Sequence, residues 1–242
     1  MASETAHQVL AIIPVRGRDA EADGAPVQLG GKPLISYTID AALKSTVVTR
    51  TLVTTDSPSV RELAVSLGAE APFLRPAELA APNVSLDNVL QHCLEWLQQD
   101  NGYLANVVLC LEIPHPFRPS ELLDQVVSVL EEQRLDTVVT VYEERHPMWR
   151  IDEYGELSSI GGEETTPSTK RRPLYRQLAG LALACRGDLL LREGRRFGDR
   201  VGIAPLQDAS AAVDTQEPLG LTLAEHILSA NPELPIRRSI DE

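Results

Sequence analysis

Residues 9–45 read VLAIIPVRGRDAEADGAPVQLGGKPLISYTIDAALKS, and this stretch decides the fold. Val9 to Ile13 is an unbroken apolar run, the pattern of a strand covered on both faces. A long glycine-containing loop follows. Pro33 then stands where a helix begins, because its fixed φ suits the first turn and its missing N–H is not needed there. Leu34, Ile35, Ile39, Ala42 and Leu43 recur at helical spacing and give that helix one apolar face. Strand, loop and helix in this order predict the first unit of an open α/β sheet. The loop leaving the C-terminal end of such a strand is where these sheets bind ligands.

Working outward, Arg50 to Thr55 predicts a second strand, ending at Asp56. Ser57 as N-cap and Pro58 behind it open a helix faced by Val60, Leu63, Ala64 and Leu67, which Gly68 stops. Residues 73–80 (FLRPAELA) carry no period and read as loop. Ser85 caps a helix with apolar positions Val89, Leu90, Cys93, Leu94 and Leu97. Val107 to Leu111 is a third buried strand, followed by the turn EIPHPFR at 112–118. Ser120 is expected to cap the next helix, and Thr137 to Tyr142 to form a β-branched strand. This alternation predicts three α/β/α layers around a mostly parallel, mixed sheet. Between His146 and Leu183 the alternation breaks. Gly155, Gly161 and Gly162 punctuate a polar stretch that is expected to be a projecting lid, a hairpin used for dimerisation, or a surface excursion. Strand character returns at Leu181 to Cys185, a short helix starts at Gly187, and a final helix spans Pro218 to Leu228.

The whole chain, 242 residues, is expected to form a single domain. A formal charge of −13 argues against nucleic acid or an anionic membrane as partner, since both require a basic surface. No apolar run approaches the ~20 residues of a membrane span. MASETAHQ lacks the basic and apolar regions of a signal peptide, so a cytoplasmic location is expected. Cys93, Cys110 and Cys185 read as reduced core thiols. His92 and His226 sit on patterned helices and read as surface or boundary residues.

Six separated frames carry a resemblance: IIPVRG with LGGKPLISYTIDAALKS, TTDSPSVRELAVSLGAEAPFLRPAELA, LEIPHPFR, HPMW at 146–149, PLYR at 173–176, and AAVDTQEPL at 211–219. Together they resemble the cytidylyltransferases that activate sialic acids and related nine-carbon sugar acids. The resemblance implies the nucleotide-diphospho-sugar transferase fold. It also implies attack of a sugar hydroxyl on the α-phosphate of CTP, with Mg²⁺ and fixed cations stabilising the charge that builds on the phosphates. The partners it implies are CTP, a small acidic sugar acceptor and a second copy of the chain in a homodimer.

Carried over residue by residue, the resemblance makes Arg16, Gly17, Arg18, Arg75 and Ser85 nucleotide contacts. Glu112, His115 and Arg118 fall toward the acceptor, and Asp214 is the metal ligand. Arg16 and Asp214 are the catalytic candidates. Plainer roles stand beside these. Arg75 can pair with Glu78, Ser85 can serve as an N-cap alone, and Arg118 can cap the strand before it. Lys170, Arg171 and Arg172 can meet an acceptor carboxylate or a partner subunit, or form a charged surface run.

The chain also departs from the pattern. After Arg16 and Gly17 the loop runs Arg18-Asp19-Ala20-Glu21-Ala22-Asp23-Gly24, without the two lysines of the family loop. Asp19, Glu21 and Asp23 are expected to face the triphosphate position, where like charges ~4 Å apart cost on the order of several kcal/mol. Glu112 stands at a glutamine position, Ala179 at an asparagine position, and Ala212 at that of the second aspartate. Two functions follow as alternatives. One is a divergent cytidylyltransferase; the other is a catalytically inactive member that serves as a binding or scaffolding subunit.

Overall fold

A computed structural model describes residues 7–22, 25–160 and 172–231. Its centre is β1 (Val9–Pro14), buried along its length as the apolar run requires. The 9–45 unit continues through a one-turn helix α1 (Gly17–Ala20) and the two-residue strands β2 (Glu21–Ala22), β3 (Ala25–Pro26), β4 (Gln28–Leu29) and β5 (Lys32–Pro33). It ends in α2 (Leu34–Lys44). Pro33 is the residue before the helix, one position earlier than its sequence role suggests.

The next units are β6 (Arg50–Thr54), α3 (Pro58–Ser66), α4 (Leu86–Asn101), β7 (Val107–Cys110) and α5 (Ser120–Glu132). Ser57 and Ser85 cap as predicted, accepting from Val60 N and Asn88 N. Ser120 does not; it is the first helical residue behind Pro119, and its hydroxyl turns to Glu121. β8 (Thr137–Glu144) is followed by β9 (Met148–Ile151), β10 (Leu157–Ile160), β11 (Leu174–Gln177) and β12 (Leu183–Arg186). α6 (Gly187–Glu193), β13 (Val201–Pro205) and α7 (Gly220–Ala230) close the described chain. Sequence periodicity did not give β13, a half-exposed edge strand.

The main sheet has the order β11-β8-β12-β7-β1-β6, with β13 also on β8. β1 is parallel to β6 and β7, and β13 is parallel to β8, while β11 and β12 run antiparallel. The sheet is therefore mixed, as expected. α2, α3 and α5 cover one face through Ile35, Ile39, Val60, Leu123 and Val126. α4 and α6 cover the other through Leu90, Leu94, Leu97 and Leu190, so the three layers are present. All three cysteines are free and buried in these layers, and burial pushes the thiols of Cys93 and Cys185 up to about 12.

One irregularity positions the site. Thr140 donates its N–H to Ala182 O and accepts at its carbonyl from Leu178 N. Both groups of one strand residue point to the same edge, so β11 and β12 continue one path along β8, with residues 178–182 looped out between them. The stretch between His146 and Leu183 contains the β9–β10 hairpin, whose strands pair with each other. Gly161, Gly162, Asp23, Gly24, Lys170 and Arg171 lie outside the described residues.

Candidate active site

β1 connects to β6 on one side of it, and the chain then returns to place β7 on the other side. This change of direction opens a crevice at the C-terminal ends of β1 and β7, the usual ligand site of an open α/β sheet. Arg16 and Gly17 leave β1 there, and Glu112 leaves β7.

The loop after β1 is tied down closely. Gly17 donates its N–H to Asp56 Oδ1 at 2.9 Å, and a Cβ on Gly17 would meet Ser57 Cβ at 2.7 Å. Only glycine fits this approach to the start of α3. Arg16 Nε donates to Asp19 Oδ2 at 2.9 Å, closing a three-residue ring through α1. Arg18 reaches Asp19 at 3.7 Å with its side chain 57% exposed. Glu21 turns away from the crevice: its carboxylate accepts from Ser57 and Ser59 at the N-terminus of α3, where the helix dipole and free N–H groups favour a negative charge. The expected row of three carboxylates at the phosphate position is thus corrected for the described residues. Asp19 is spent on Arg16, Glu21 on α3, and Asp23 lies outside them. Asp56 was not singled out from the sequence, yet it anchors Gly17.

Arg75 is 6% exposed and does not pair with Glu78. Its guanidinium donates to the carbonyls of Thr54 and Val15 and to Thr54 Oγ1. Burial lowers its pKa from the ordinary value. It ties the end of β6 to the residue after β1 and so supports the crevice from beneath, in place of the direct nucleotide contact. Ser85 is exposed at the N-terminus of α4 and acts as the cap.

On the β7 side, Glu112 N donates to Gly180 O at 2.8 Å, joining the strand end to the 178–182 loop-out. Gly180 has φ +81°, and a Cβ there would lie 3.0 Å from Glu112 Cβ and 3.2 Å from its Oε1. The glutamate therefore packs directly on the glycine backbone. Its carboxylate makes no hydrogen bond among the described residues. Burial raises its pKa, while the charges of Arg196, Arg118 and Arg16 act against that rise and Asp214 adds to it. Glu112 thus stands electrostatically between the β1 loop and the segment preceding α7.

Arg118 and His115 take different parts from those expected. Arg118, 4% exposed, donates to Leu181 O, to Glu112 O at 2.6 Å, to Gly180 O at 2.9 Å and to Thr38 Oγ1 at 3.0 Å. A buried guanidinium must find acceptors, and here backbone carbonyls supply them. Burial brings its pKa down to about 9. His115, 3% exposed, sets Nδ1 3.1 Å from Val213 O and Nε2 2.9 Å from Ala179 O. Burial and the neighbouring Arg118 lower its pKa and favour the neutral ring. Both side chains hold the loops around the acceptor side together, Arg118 using four of its five N–H groups to do so.

A cleft of about 880 Å³ opens beside this girdle, lined by His115, Arg176, Asp214, Glu217, Leu219 and His226 among others. His226, expected at a surface or boundary, is thus one wall of it. Asp214 Oδ1 accepts from Gln216 N at 2.8 Å, which leaves Oδ2 toward a ligand. Among the described residues, no group of three or more His, Cys, Asp or Glu is gathered to hold a metal ion. One carboxylate suits Mg²⁺ when phosphates and water complete the octahedron. Arg176, quoted above in the PLYR frame but given no role, is a second cation of this cleft.

Arg196 was missed altogether, because it sits in a charged stretch, Arg192 to Arg200, that reads as surface. Its Nε lies 3.3 Å from Asp87 Oδ1 in the first turn of α4, and its Nε and Nη1 are buried without a hydrogen-bond partner. Its charge is the largest attractive influence on Glu112.

Comparison with known proteins agrees with this layout. The sequence profile of the cytidylyltransferase family matches residues 25–197. CMP-N,N′-diacetyllegionaminic acid synthase of Legionella pneumophila is 27% identical over 93% of this chain and 98% of that protein. N-acylneuraminate cytidylyltransferase of Escherichia coli O18:K1:H7 is 27% identical over 90% of this chain, which spans about half (51%) of that longer protein. In fold, the crystal structure of 4-diphosphocytidyl-2C-methyl-D-erythritol synthase from Anaerococcus prevotii superposes with a TM-score of 0.69 at 13% identity, covering 92% of this chain and 96% of that one.

Proposed function

This chain belongs to the cytidylyltransferase family, and from that premise we propose that it transfers CMP from CTP to a hydroxyl of a small acidic sugar, releasing pyrophosphate. The observation that carries this reading is the crevice between β1 and β7. It brings Arg16 and Arg18 of the β1 loop, both paired with Asp19, to the same end of the sheet as Glu112, with the Asp214 cleft beside His115. Arg16 receives the triphosphate once Asp19 lets go of it, with Arg18 joining from solvent. The N-terminus of α4 at Ser85 lies toward the nucleoside. Asp214 would contribute its one carboxylate to a Mg²⁺ ion carried by CTP, which would supply charge neutralisation on the phosphates. The acceptor occupies the Asp214 cleft, with Arg176 placed for its carboxylate. The full-length match to a legionaminic acid synthase supports a nine-carbon acid, and Glu112 at the glutamine position supports an acceptor that differs from sialic acid.

The chain acts as a single domain; within the 146–183 segment expected to project, β11 joins the main sheet, and the β9–β10 hairpin is the part that joins two copies in a homodimer. β9 is exposed throughout and β10 at every residue but Ser159, and Trp149, Ile151 and Leu157 share one face. A two-stranded hairpin is marginal in water unless something covers it. Among the described residues no helix is long and apolar enough to cross a membrane.

The Arg16–Asp19 pair also favours a second reading, a silent binding subunit whose phosphate loop is already neutralised. Calorimetric titration with CTP, with and without Mg²⁺ and beside ATP and UTP, separates the two. Micromolar, Mg²⁺-dependent and CTP-selective binding that weakens in Arg16→Ala is expected for the transferase. No heat at millimolar nucleotide rejects it.

A further inference from the structure

Of the described carboxylates at the ends of β1, β6 and β7, Asp19 is engaged by Arg16 and Asp56 by Gly17. Glu21, beyond them, is engaged by two serines. Both nitrogens of His115 face backbone carbonyls. Glu112 alone in this set keeps its side-chain oxygens free of hydrogen bonds among the described residues. It is nevertheless not loose. Its N–H is tied to Gly180 O, its carbonyl to Arg118, and its side chain rests on Gly180, where any larger residue would displace it. A fixed, unspent, partly buried carboxylate at the C-terminal end of β7, packed on Gly180 next to the Ala179 that lines the acceptor cleft, has the character a general base requires.

From this geometry, and resting on the cytidylyl-transfer reading above, we propose that Glu112 takes the proton of the acceptor hydroxyl as that oxygen attacks the α-phosphorus of CTP. The O–P bond forms, the bond between the α-phosphorus and the bridging oxygen breaks, and its electron pair leaves with pyrophosphate. The hydroxyl proton ends on the Glu112 carboxylate and passes to solvent after product release. Several groups set the strength of this base. Burial favours its protonated form; Arg196 from the loop after α6, Arg118 from the turn after β7, and Arg16 favour the ionised form; Asp214 opposes it. Arg196 is the positioning residue of the set. Its guanidinium, ion-paired with Asp87 at 3.3 Å and making no direct bond to Glu112, places a cation whose charge acts on that carboxylate.

The test uses the full chain with CTP and Mg²⁺, offering N-acetylneuraminic acid and N,N′-diacetyllegionaminic acid as acceptors. Pyrophosphate release is followed from pH 5 to 9. The wild type is expected to lose kcat at low pH along a single limb. Glu112→Gln, nearly the same in shape, is expected to bind CTP as tightly, lower kcat by about 10²–10⁴-fold, flatten the limb and leave the acceptor KM within about threefold. Arg196→Gln is expected to keep activity but move the limb to higher pH, a change that a purely structural residue would not produce. A Glu112→Gln enzyme with unchanged kcat and pH limb, or one changed in KM alone, overturns the base while leaving cytidylyl transfer intact. A wild type that binds no CTP, or binds it and uses neither acid, overturns the reading on which the base rests, and the base with it.

Discussion

Arg16 Nε lies 2.9 Å from Asp19 Oδ2, so the first cation available to a phosphate is already held by a carboxylate three residues along. CTP must compete with that pair. Asp19→Asn, which keeps the size and removes the charge, should tighten CTP by roughly fivefold, since a pair about one-third exposed contributes about 1 kcal/mol. Arg16→Ala should weaken it by at least as much. Isothermal titration at two ionic strengths checks both, and an Asp19→Asn protein with unaltered affinity would mean that Arg16 does not contact the phosphates.

Arg118 is expected to behave as a framework residue. Removing it strands the carbonyls of Leu181 and Glu112 in the interior, while Gly180 O keeps its bond from Glu112 N. Arg118→Ala should cost about 3–5 kcal/mol in urea unfolding, the range for breaking a buried charged network. Arg118→Lys should recover only part of that, because an ammonium cannot span the fork. A variant with wild-type stability and a raised acceptor KM would return Arg118 to the role first expected of it.

The Glu112 carboxyl should leave a mark on stability that is independent of catalysis. Its folded pKa lies above the ordinary 4.5, so the folded state binds the proton more tightly than the unfolded chain does. Stability is therefore lost as pH rises from about 4.5 through the raised folded value, and then levels off. Glu112→Gln removes that loss. Its melting temperature should exceed the wild type's at pH 8, and the advantage should shrink away toward pH 4. An advantage that does not change with pH would rule out this ionisation as its source.

The hairpin makes a separate prediction. Ile151 is 68% exposed and Leu157 61%, and they face one another across the strand pair. Ile151→Asp with Trp149→Ser should convert a dimer to a monomer in sedimentation velocity, without lowering the melting temperature of the main sheet. A wild type that sediments as a monomer would remove the hairpin from the assembly altogether.

Local patterns were sufficient for much of the chain. Runs such as Val9–Ile13 and Val107–Leu111 became strands because nothing short of burial on both faces satisfies them. Ser57 and Ser85 became caps because a side-chain oxygen there meets a free helix N–H within three residues. β13 escaped because an edge strand with one face exposed lacks the continuous apolar signal. Arg16, Gly17, Glu112 and Asp214 were placed around one crevice by frames 20 to 100 residues apart, and the topology brings them there. The outcomes for Arg75, Arg118 and His115 were different. Each was recognised as special, but its acceptors are carbonyls 60, 63 and 98 residues away, and any carbonyl looks the same in a sequence.

The sequence by itself determined the alternation of strands and helices, the helix starts at Ser57 and Ser85, the break after His146 and the acidic character of the loop after β1. All of these depend on neighbours within a few residues. The tertiary structure alone decided which charged groups are spent and which remain free. It turned Glu21 onto α3, buried Arg75 and Arg118 among carbonyls, looped out Ala179 and Gly180 against β7, and brought Arg196 near Glu112. The physical reason is that desolvation and hydrogen-bond satisfaction depend on everything packed around a group, and for these residues the packing partners come from distant parts of the chain.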